Sequence, residues 1–288
     1  MALTVEQVTR RLRGIGSSDS AAAIGLNPYY TSVELWQEKR GELPPFIGNE
    51  ATKWGKLLEA PVRQEFAEQT GRVVRLPPDT LVHPKYSWLV CHPDGVTDDG
   101  RLYEGKTARY PDGWGDSGTD QVPEHYLIQC QHGMMVTGLP VCDLAVLIGG
   151  QDFRMYVIPA DEGLQAAILD AEAEFWTHVT RGTRPPLDLS APGAIAVLKR
   201  LYPGTNGQTV KASADIEAWR VKLENSKAAG KSAEKVEAEA KAALLEFMGE
   251  ASVLRFGDGR GFRRAKVERK GYVVEPTSYI DARFIAKG

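Results

Sequence analysis

Asp94, Glu104 and Lys106 place two carboxylates and one ammonium in a single stretch, His92-Pro93-Asp94-Gly95-Val96-Thr97-Asp98-Asp99-Gly100-Arg101-Leu102-Tyr103-Glu104-Gly105-Lys106. Two carboxylates suit a hard divalent cation such as Mg²⁺, which takes oxygen ligands and keeps several waters. A neighbouring lysine can orient or deprotonate one of those waters for attack on a phosphodiester. That chemistry needs the three side chains to converge. Trp88-Leu89-Val90-Cys91 is apolar, Asp98-Asp99-Gly100 is turn chemistry, and Arg101-Leu102-Tyr103 resumes a β-capable run, so two short strands are expected to meet as a hairpin. Side chains alternate along a strand, which puts Leu102, Glu104 and Lys106 on one face and Tyr103 and Gly105 on the other. Asp94, delivered by the preceding strand, can reach the same spot. A solvated hairpin with an ordinary Glu/Lys pair is the alternative reading of so short a pattern.

The elements that must hold this stretch are legible from periodicity. Residues 4–13 read as a short helix, ending at Gly14-Ile15-Gly16-Ser17-Ser18-Asp19-Ser20 and followed by an alanine run. A loop feeding a helix N-terminus favours anions, and Arg11 and Arg13 stand beside it, so a phosphate site competes with simple capping by Ser18. A long amphipathic helix spans about Asn49 to Thr70, with Ala51, Trp54, Leu58, Val62 and Phe66 as its core stripe and Gly71 as its stop. Glu59 lies off that stripe beside Pro61, which is expected to kink or restart the helix. It is a candidate third ligand, against the reading of a surface glutamate. Strands are expected at Val73–Leu76, Thr80–Val82, Leu144–Ile148 and Phe153–Ile158, and helices from Pro123 to Thr137 and from Leu164 to Val179. On the helix opened by Pro123, at least one of Gln129 and Gln131 can face the sheet edge. The polar loop Asp112–Gly118 reads as a mobile substrate-facing segment or as surface filler.

Composition is that of an ordinary globular protein: 288 residues, 42% hydrophobic, 25% charged, net charge −3. That balance excludes a surface coated in positive charge but allows a local basic groove. Three scattered cysteines without a Cys-x-x-Cys pair make a structural zinc or iron–sulfur cluster unexpected and point to reduced thiols. No basic-then-apolar leader and no run of about 18 apolar residues is present, so the expectation is a cytoplasmic protein with no membrane partner.

The chain divides into a first unit, 1–186, ending at Arg181-Gly182-Thr183-Arg184-Pro185-Pro186, and an extension, 187–288. In the extension, 213–248 is Ala-, Glu- and Lys-rich with a weak middle around Gly230, which predicts one kinked helix or two helices. Residues 251–271 read as a basic β-hairpin carrying Arg255, Arg263 and Arg264, able to track a phosphate backbone or to blunt an exposed edge.

Pro93-Asp94 followed by Glu104-x-Lys106 resembles the PD-(D/E)xK nuclease signature. Read together with Arg11, Gly14 to Ala22, Glu34-Leu35-Trp36, Trp54-Gly55-x-x-Leu58-Glu59, Gln129-Cys130-Gln131-His132 and Val136-Thr137-Gly138, in that order, it resembles the YqaJ / lambda-exonuclease family of phage-type alkaline exonucleases. The match runs from residue 11 to about 186. The resemblance implies an α/β (α+β) PD-(D/E)xK, restriction-endonuclease-like core with a mixed central sheet flanked by helices. It implies two Mg²⁺ ions, with Mn²⁺ as substitute, held by Asp94, Glu104, the Gly105 carbonyl and Glu59. By the same resemblance Lys106 activates the water and Gln131, or alternatively Gln129, supports the site. Arg11 and Ser18, with Arg13 as the register alternative, are implied as a 5′-phosphate pocket. Where the family has a serine two residues before the aspartate this chain has His92, a departure that bears on the pocket.

The implied activity is metal-assisted 5′→3′ hydrolysis of linear double-stranded DNA, leaving 3′ overhangs for single-strand-annealing recombination in a bacterial or phage-infected cytoplasm. Implied partners are DNA ends, a single-strand annealing protein and further copies of the chain in a ring, typically a trimer. An endonuclease or nickase on the same core is one alternative, and a non-catalytic DNA-binding protein is another.

Overall fold

Alternating apolar and polar residues in the middle of the chain build the sheet that carries the acidic stretch. The computed structural model describes residues 12–43, 48–191, 193–204, 208–256, 258 and 260–263. Two units divide the chain, Met1–Leu201 and Tyr202–Gly288. In order, the first contains β1 (Ile15–Gly16), α1 (Ser17–Ala23), α2 (Ser32–Lys39), α3 (Glu50–Thr70), β2 (Val74–Arg75), β3 (Leu81–Val82), β4 (Leu89–Cys91), β5 (Gly95–Thr97), β6 (Leu102–Ala108), α4 (Glu124–Thr137), β7 (Val141–Ile148), β8 (Asp152–Pro159), α5 (Glu162–Arg181) and α6 (Ala194–Leu201). The second contains α7 (Ala214–Met248), β9 (Val253–Arg255) and β10 (Gly261–Arg263).

Five strands form a mixed sheet in the order β2-β5-β6-β7-β8, with β6 and β7 parallel and the other neighbours antiparallel. The α4 crossover between β6 and β7 makes that parallel pair possible, as such pairs require. Alternation sorts the two faces. Leu102, Leu144, Val146 and Tyr156 pack with Cys130 and Met134 of α4, while Tyr103 and Ala145 pack with Val62 and Phe66 of α3. The expected α/β (α+β) architecture, a mixed central sheet between helices, is what the chain adopts.

One pairing differs from the sequence expectation. The antiparallel partner of β6 is β5, not the apolar run before it, because β4 belongs to a second sheet of order β1-β4-β3. His92-Pro93-Asp94 is the crossing point between the sheets, where a proline without an N–H ends the first ladder. β4 is fixed from behind by His132, whose Nε2 lies 3.0 Å from the Val90 carbonyl and whose Nδ1 lies 2.8 Å from a Glu172 oxygen. A Cβ at Gly95 would fall 2.2 Å from Val74 Cγ1 and 3.4 Å from the Arg75 carbonyl. Gly95→Ala is therefore expected to lower stability by about 1–3 kcal/mol through overpacking, read as a shifted denaturant midpoint. A midpoint equal to wild type would show that β2 moves aside freely.

Other expectations are corrected. α3 runs unbroken through Pro61, so the helix does not restart there. Its core stripe is Leu58, Val62 and Phe66 only, since Ala51 is exposed and Trp54 is 54% exposed. α1 is capped at Gly16, whose N–H donates to Asp19 Oδ2 at 3.2 Å, so Ser18 lies inside the first turn and does not cap it. The glycine-rich loop after β6 is tied to β8. Gly118 N donates to the Met155 carbonyl (2.7 Å), Val157 N to the Thr119 carbonyl (3.1 Å) and Tyr156 Oη to the Gly115 carbonyl (2.8 Å), so the loop covers the β8 edge. In the second unit α7 is continuous through Gly230: good helix formers on both sides outweigh a glycine's cost of about 1 kcal/mol. β9 and β10 form the expected hairpin, with Val253 opposite Arg263 and Arg255 opposite Gly261, so both arginines share one face.

Candidate active site

Asp94, Glu104, Lys106 and Gln129 come together at the start of β6. Glu104 is buried there, and its Oε1 accepts from Lys106 Nζ at 2.6 Å and from Gln129 Nε2 at 2.5 Å. Asp94 stands just ahead of β5, and its Oδ2 accepts from the Gly105 N–H at 3.0 Å, so the backbone of β6 itself holds the first acid against the second. Period-two alternation puts Glu104 and Lys106 on the α4 side, and a helix turn brings Gln129 over them. Tyr126, three residues earlier on the same helix face, lies with its ring 5.1 Å from Lys106 Nζ.

The electrostatics follow from this crowding. Burial first, and then the Asp94 carboxylate, push Glu104 up to about 7, although Lys106 pulls the other way. Burial opposes charge on Lys106, but Glu104 and Asp94 outweigh it and raise the lysine above its ordinary range. Lys106 is thus an ammonium at neutral pH. Two acids held this close, with one ammonium beside them, form a site that favours added positive charge.

The other expected residues are distributed as follows. Glu59 sits on α3, on the Tyr103 side of β6, with its carboxylate 3.7 Å from Arg63 Nη1. Its charge, with those of Asp94 and Glu104, adds to burial in raising the Tyr103 hydroxyl, which is enclosed without a hydrogen-bond partner. Among the described residues no three acidic, histidine or cysteine side chains gather to hold a metal. The donors that do converge are two hard carboxylates, which fit a divalent cation that keeps most of its waters. Gln131 is turned away: its Nε2 donates to the Pro159 carbonyl at 2.8 Å and its Oε1 accepts from Asp161 N and Gln165 Nε2, both at 3.1 Å. The geometry thus gives Gln129 the place beside Glu104. Arg13, Ser18 and His92 are exposed. Arg11 and Arg264 lie outside the described residues, and Arg255 and Arg263 belong to the second unit. Sequence reading missed Tyr103 and Tyr126 as site residues. Tyr126 could have been found from its spacing to Gln129; Tyr103 faces the core and carried no signal.

All three cysteines are free and buried, and no helix among the described residues is long and apolar enough to cross a membrane. Residues 7–140 match the YqaJ-like viral recombinase domain. The chain is 34% identical over 216 residues to the uncharacterized protein YqaJ of Bacillus subtilis (strain 168), a match spanning 73% of this chain and 67% of that one. Its fold is similar to that of the alkaline exonuclease LHK-Exo from Laribacter hongkongensis, with a TM-score of 0.50 at 21% identity over 62% of this chain and 94% of that one. LHK-Exo in complex with dAMP gives 0.50 at 23% identity, over 69% and 97%. At such identities the structural likeness is one of fold, a mixed sheet between helices. The relationship to YqaJ extends over most of both chains, and the matched domain includes both acids and the lysine: this chain belongs to the YqaJ-like viral recombinase family.

Proposed function

We propose that this chain is a metal-dependent exonuclease that degrades linear double-stranded DNA 5′→3′ and leaves 3′ single-stranded overhangs for single-strand-annealing recombination. The observation that carries the reading is the convergence of Asp94, Lys106 and Gln129 on the buried Glu104 carboxylate. Asp94 and Glu104, with the Gly105 carbonyl and Glu59 at the margin, are the residues that would hold Mg²⁺ or Mn²⁺, one ion or two. When bound, the cation supplies positive charge to the attacking and leaving oxygens of the phosphodiester. Lys106 donates a hydrogen bond that orients the attacking water. Glu104 and Asp94 hold this lysine as an ammonium, so it can accept a proton from that water only after its own has left to solvent. Gln129 keeps the Glu104 carboxylate in one orientation.

The fold shared with an alkaline exonuclease supports this reading, and so does that enzyme's complex with dAMP. The 5′-phosphate is assigned to Arg11 and Ser18, with Arg13 and His92 at its edge. The hairpin arginines Arg255 and Arg263, with Arg264 next in the chain, are assigned to phosphates along the duplex, which a ring of several chains, a trimer in this reading, would encircle. An annealing protein completes the recombination step, all in the cytoplasm of a bacterial cell.

The deciding experiment compares linear and covalently closed circular duplex of one sequence, with and without a 5′-phosphate, in Mg²⁺. Loss of the linear form from its 5′ ends with the circle intact is expected. Nicking of the circle would replace the exonuclease with an endonuclease, and no cleavage with undetectable metal binding would leave a DNA-binding protein.

Two finer outcomes separate the residues. Gln129→Ala is expected to cut the cleavage rate about 10–100-fold, the usual effect of losing a partner of a metal-holding carboxylate. Gln131→Ala should instead lower stability by about 1–3 kcal/mol by orphaning the groups it satisfies, with little change in rate. The reverse pattern in rate and melting assays would exchange their roles. Replacing Arg255 and Arg263 by glutamine should reduce the slope of log affinity against log salt by about two, and an unchanged slope would remove the hairpin from the DNA contact.

A further inference from the structure

Tyr29 is the most exposed aromatic side chain among the described residues, at 82%. Single exposed apolar residues are ordinary, but this one is neither isolated nor loosely held. Asn27 Oδ1 accepts from Tyr29 N at 2.8 Å and Tyr30 N at 3.1 Å, an Asx turn that sets the backbone. The Tyr30 hydroxyl is in turn tied to Glu38 at 2.8 Å. The Tyr29 ring meets His125, on the first turn of α4, edge to face at 5.8 Å and 89°. His125 lies 4.0 Å from Tyr126, and Tyr126 lies beneath Lys106 Nζ at 5.1 Å, backed by Trp114 at 5.4 Å. A continuous aromatic ladder therefore runs from the candidate catalytic ammonium to an open ring face, braced from behind by the core.

We propose that Tyr29, supported by His125 and Tyr126, is a stacking platform for an unpaired base of the strand being cut, one of the first few nucleotides beyond the scissile phosphate. The inference rests on the nuclease reading above, because it is the phosphodiester at Glu104 and Lys106 that brings a base to this place. The chemistry selects a base: each of the four presents a π face, so stacking on tyrosine is tolerant of sequence, as an enzyme that degrades any DNA requires. A base inside a duplex is already stacked, so the platform favours strands opened at an end. The middle rung suits the task as well. Burial and the charge of Lys106 lower the His125 pKa, so the imidazole is a neutral ring, and its Nε2 is enclosed without a hydrogen-bond partner.

The test uses the full-length protein and linear duplex carrying 2-aminopurine at the first, third or eighth nucleotide from the 5′ end, bound in Ca²⁺, with turnover measured separately in Mg²⁺. In the wild type, binding is expected to quench the end positions further and to leave the eighth, already stacked in the duplex, at its free-DNA value. Tyr29→Ala should lose that quenching and raise KM about tenfold, the scale of one lost base–aromatic contact, with kcat carrying the smaller share. Tyr29→Phe should keep both. Wild-type quenching and KM in Tyr29→Ala, with both proteins degrading linear DNA, would overturn the platform and leave the nuclease reading standing. Tyr29→Phe behaving like Tyr29→Ala would also overturn it, since the hydroxyl and not the ring would be responsible. A wild type that neither binds nor cuts DNA overturns the nuclease reading and the platform with it.

Discussion

Lys106→Ala is expected to slow metal-dependent release of nucleotides from linear duplex by about 10³-fold or more while the chain stays folded. Among the described residues the ammonium is the one positively charged group bonded to Glu104, at 2.6 Å, and a positioned proton donor or acceptor contributes about 10²–10⁴-fold to such reactions. Its removal leaves a buried carboxylate without its ion pair, ordinarily a severe defect. Here the carboxyl can escape by taking a proton, because its pKa already stands at about 7. The melting temperature of the variant should therefore lie close to wild type near pH 6 and fall further behind as pH rises past 7. Single-turnover digestion and melts at several pH values measure both effects. Digestion at the wild-type rate would remove Lys106 from the chemistry.

Metal affinity should rise with pH, and each cation bound should displace a proton. Glu104 is raised from 4.5 unfolded to about 7 folded, so the metal-free folded protein holds a proton that the unfolded chain sheds. Stability from this group is greatest below about pH 4.5, declines as pH climbs towards 7, and is level above that. A cation needs the deprotonated carboxylate, so Mg²⁺ affinity should increase close to tenfold per pH unit between about 5 and 7 and then flatten. Titration calorimetry in two buffers of different ionisation enthalpy reads the released proton directly. Mg²⁺ should also restore the melting temperature lost at higher pH. Asp94→Asn, by removing the second cause of the raised pKa, should weaken the decline in stability as well as metal binding. An affinity constant across this range would show that Glu104 is not a ligand.

The grouping of Asp94, Glu104 and Lys106 was legible in the chain because it is encoded locally. The Asp94, Glu104 and Lys106 spacing, the turn at Asp98-Asp99-Gly100 and the period-two placement of Glu104 beside Lys106 depend only on strand geometry. The same holds for α3, α4 and α5, whose caps and apolar stripes lie within the helices themselves. What depended on long-range contact was not legible. That β4 leaves the sheet, so that β6 pairs with β5, is decided by where β1 and β3 lie. That Gln129 and not Gln131 meets Glu104 is decided by the rotation of α4 against β6, and one residue along a helix turns a side chain by about 100°. Local spacing thus named the acids, the lysine and the hairpin turn, whereas the packing of α4 and α3 on opposite faces of one sheet chose their companions, because burial and helix orientation are properties of the assembled core.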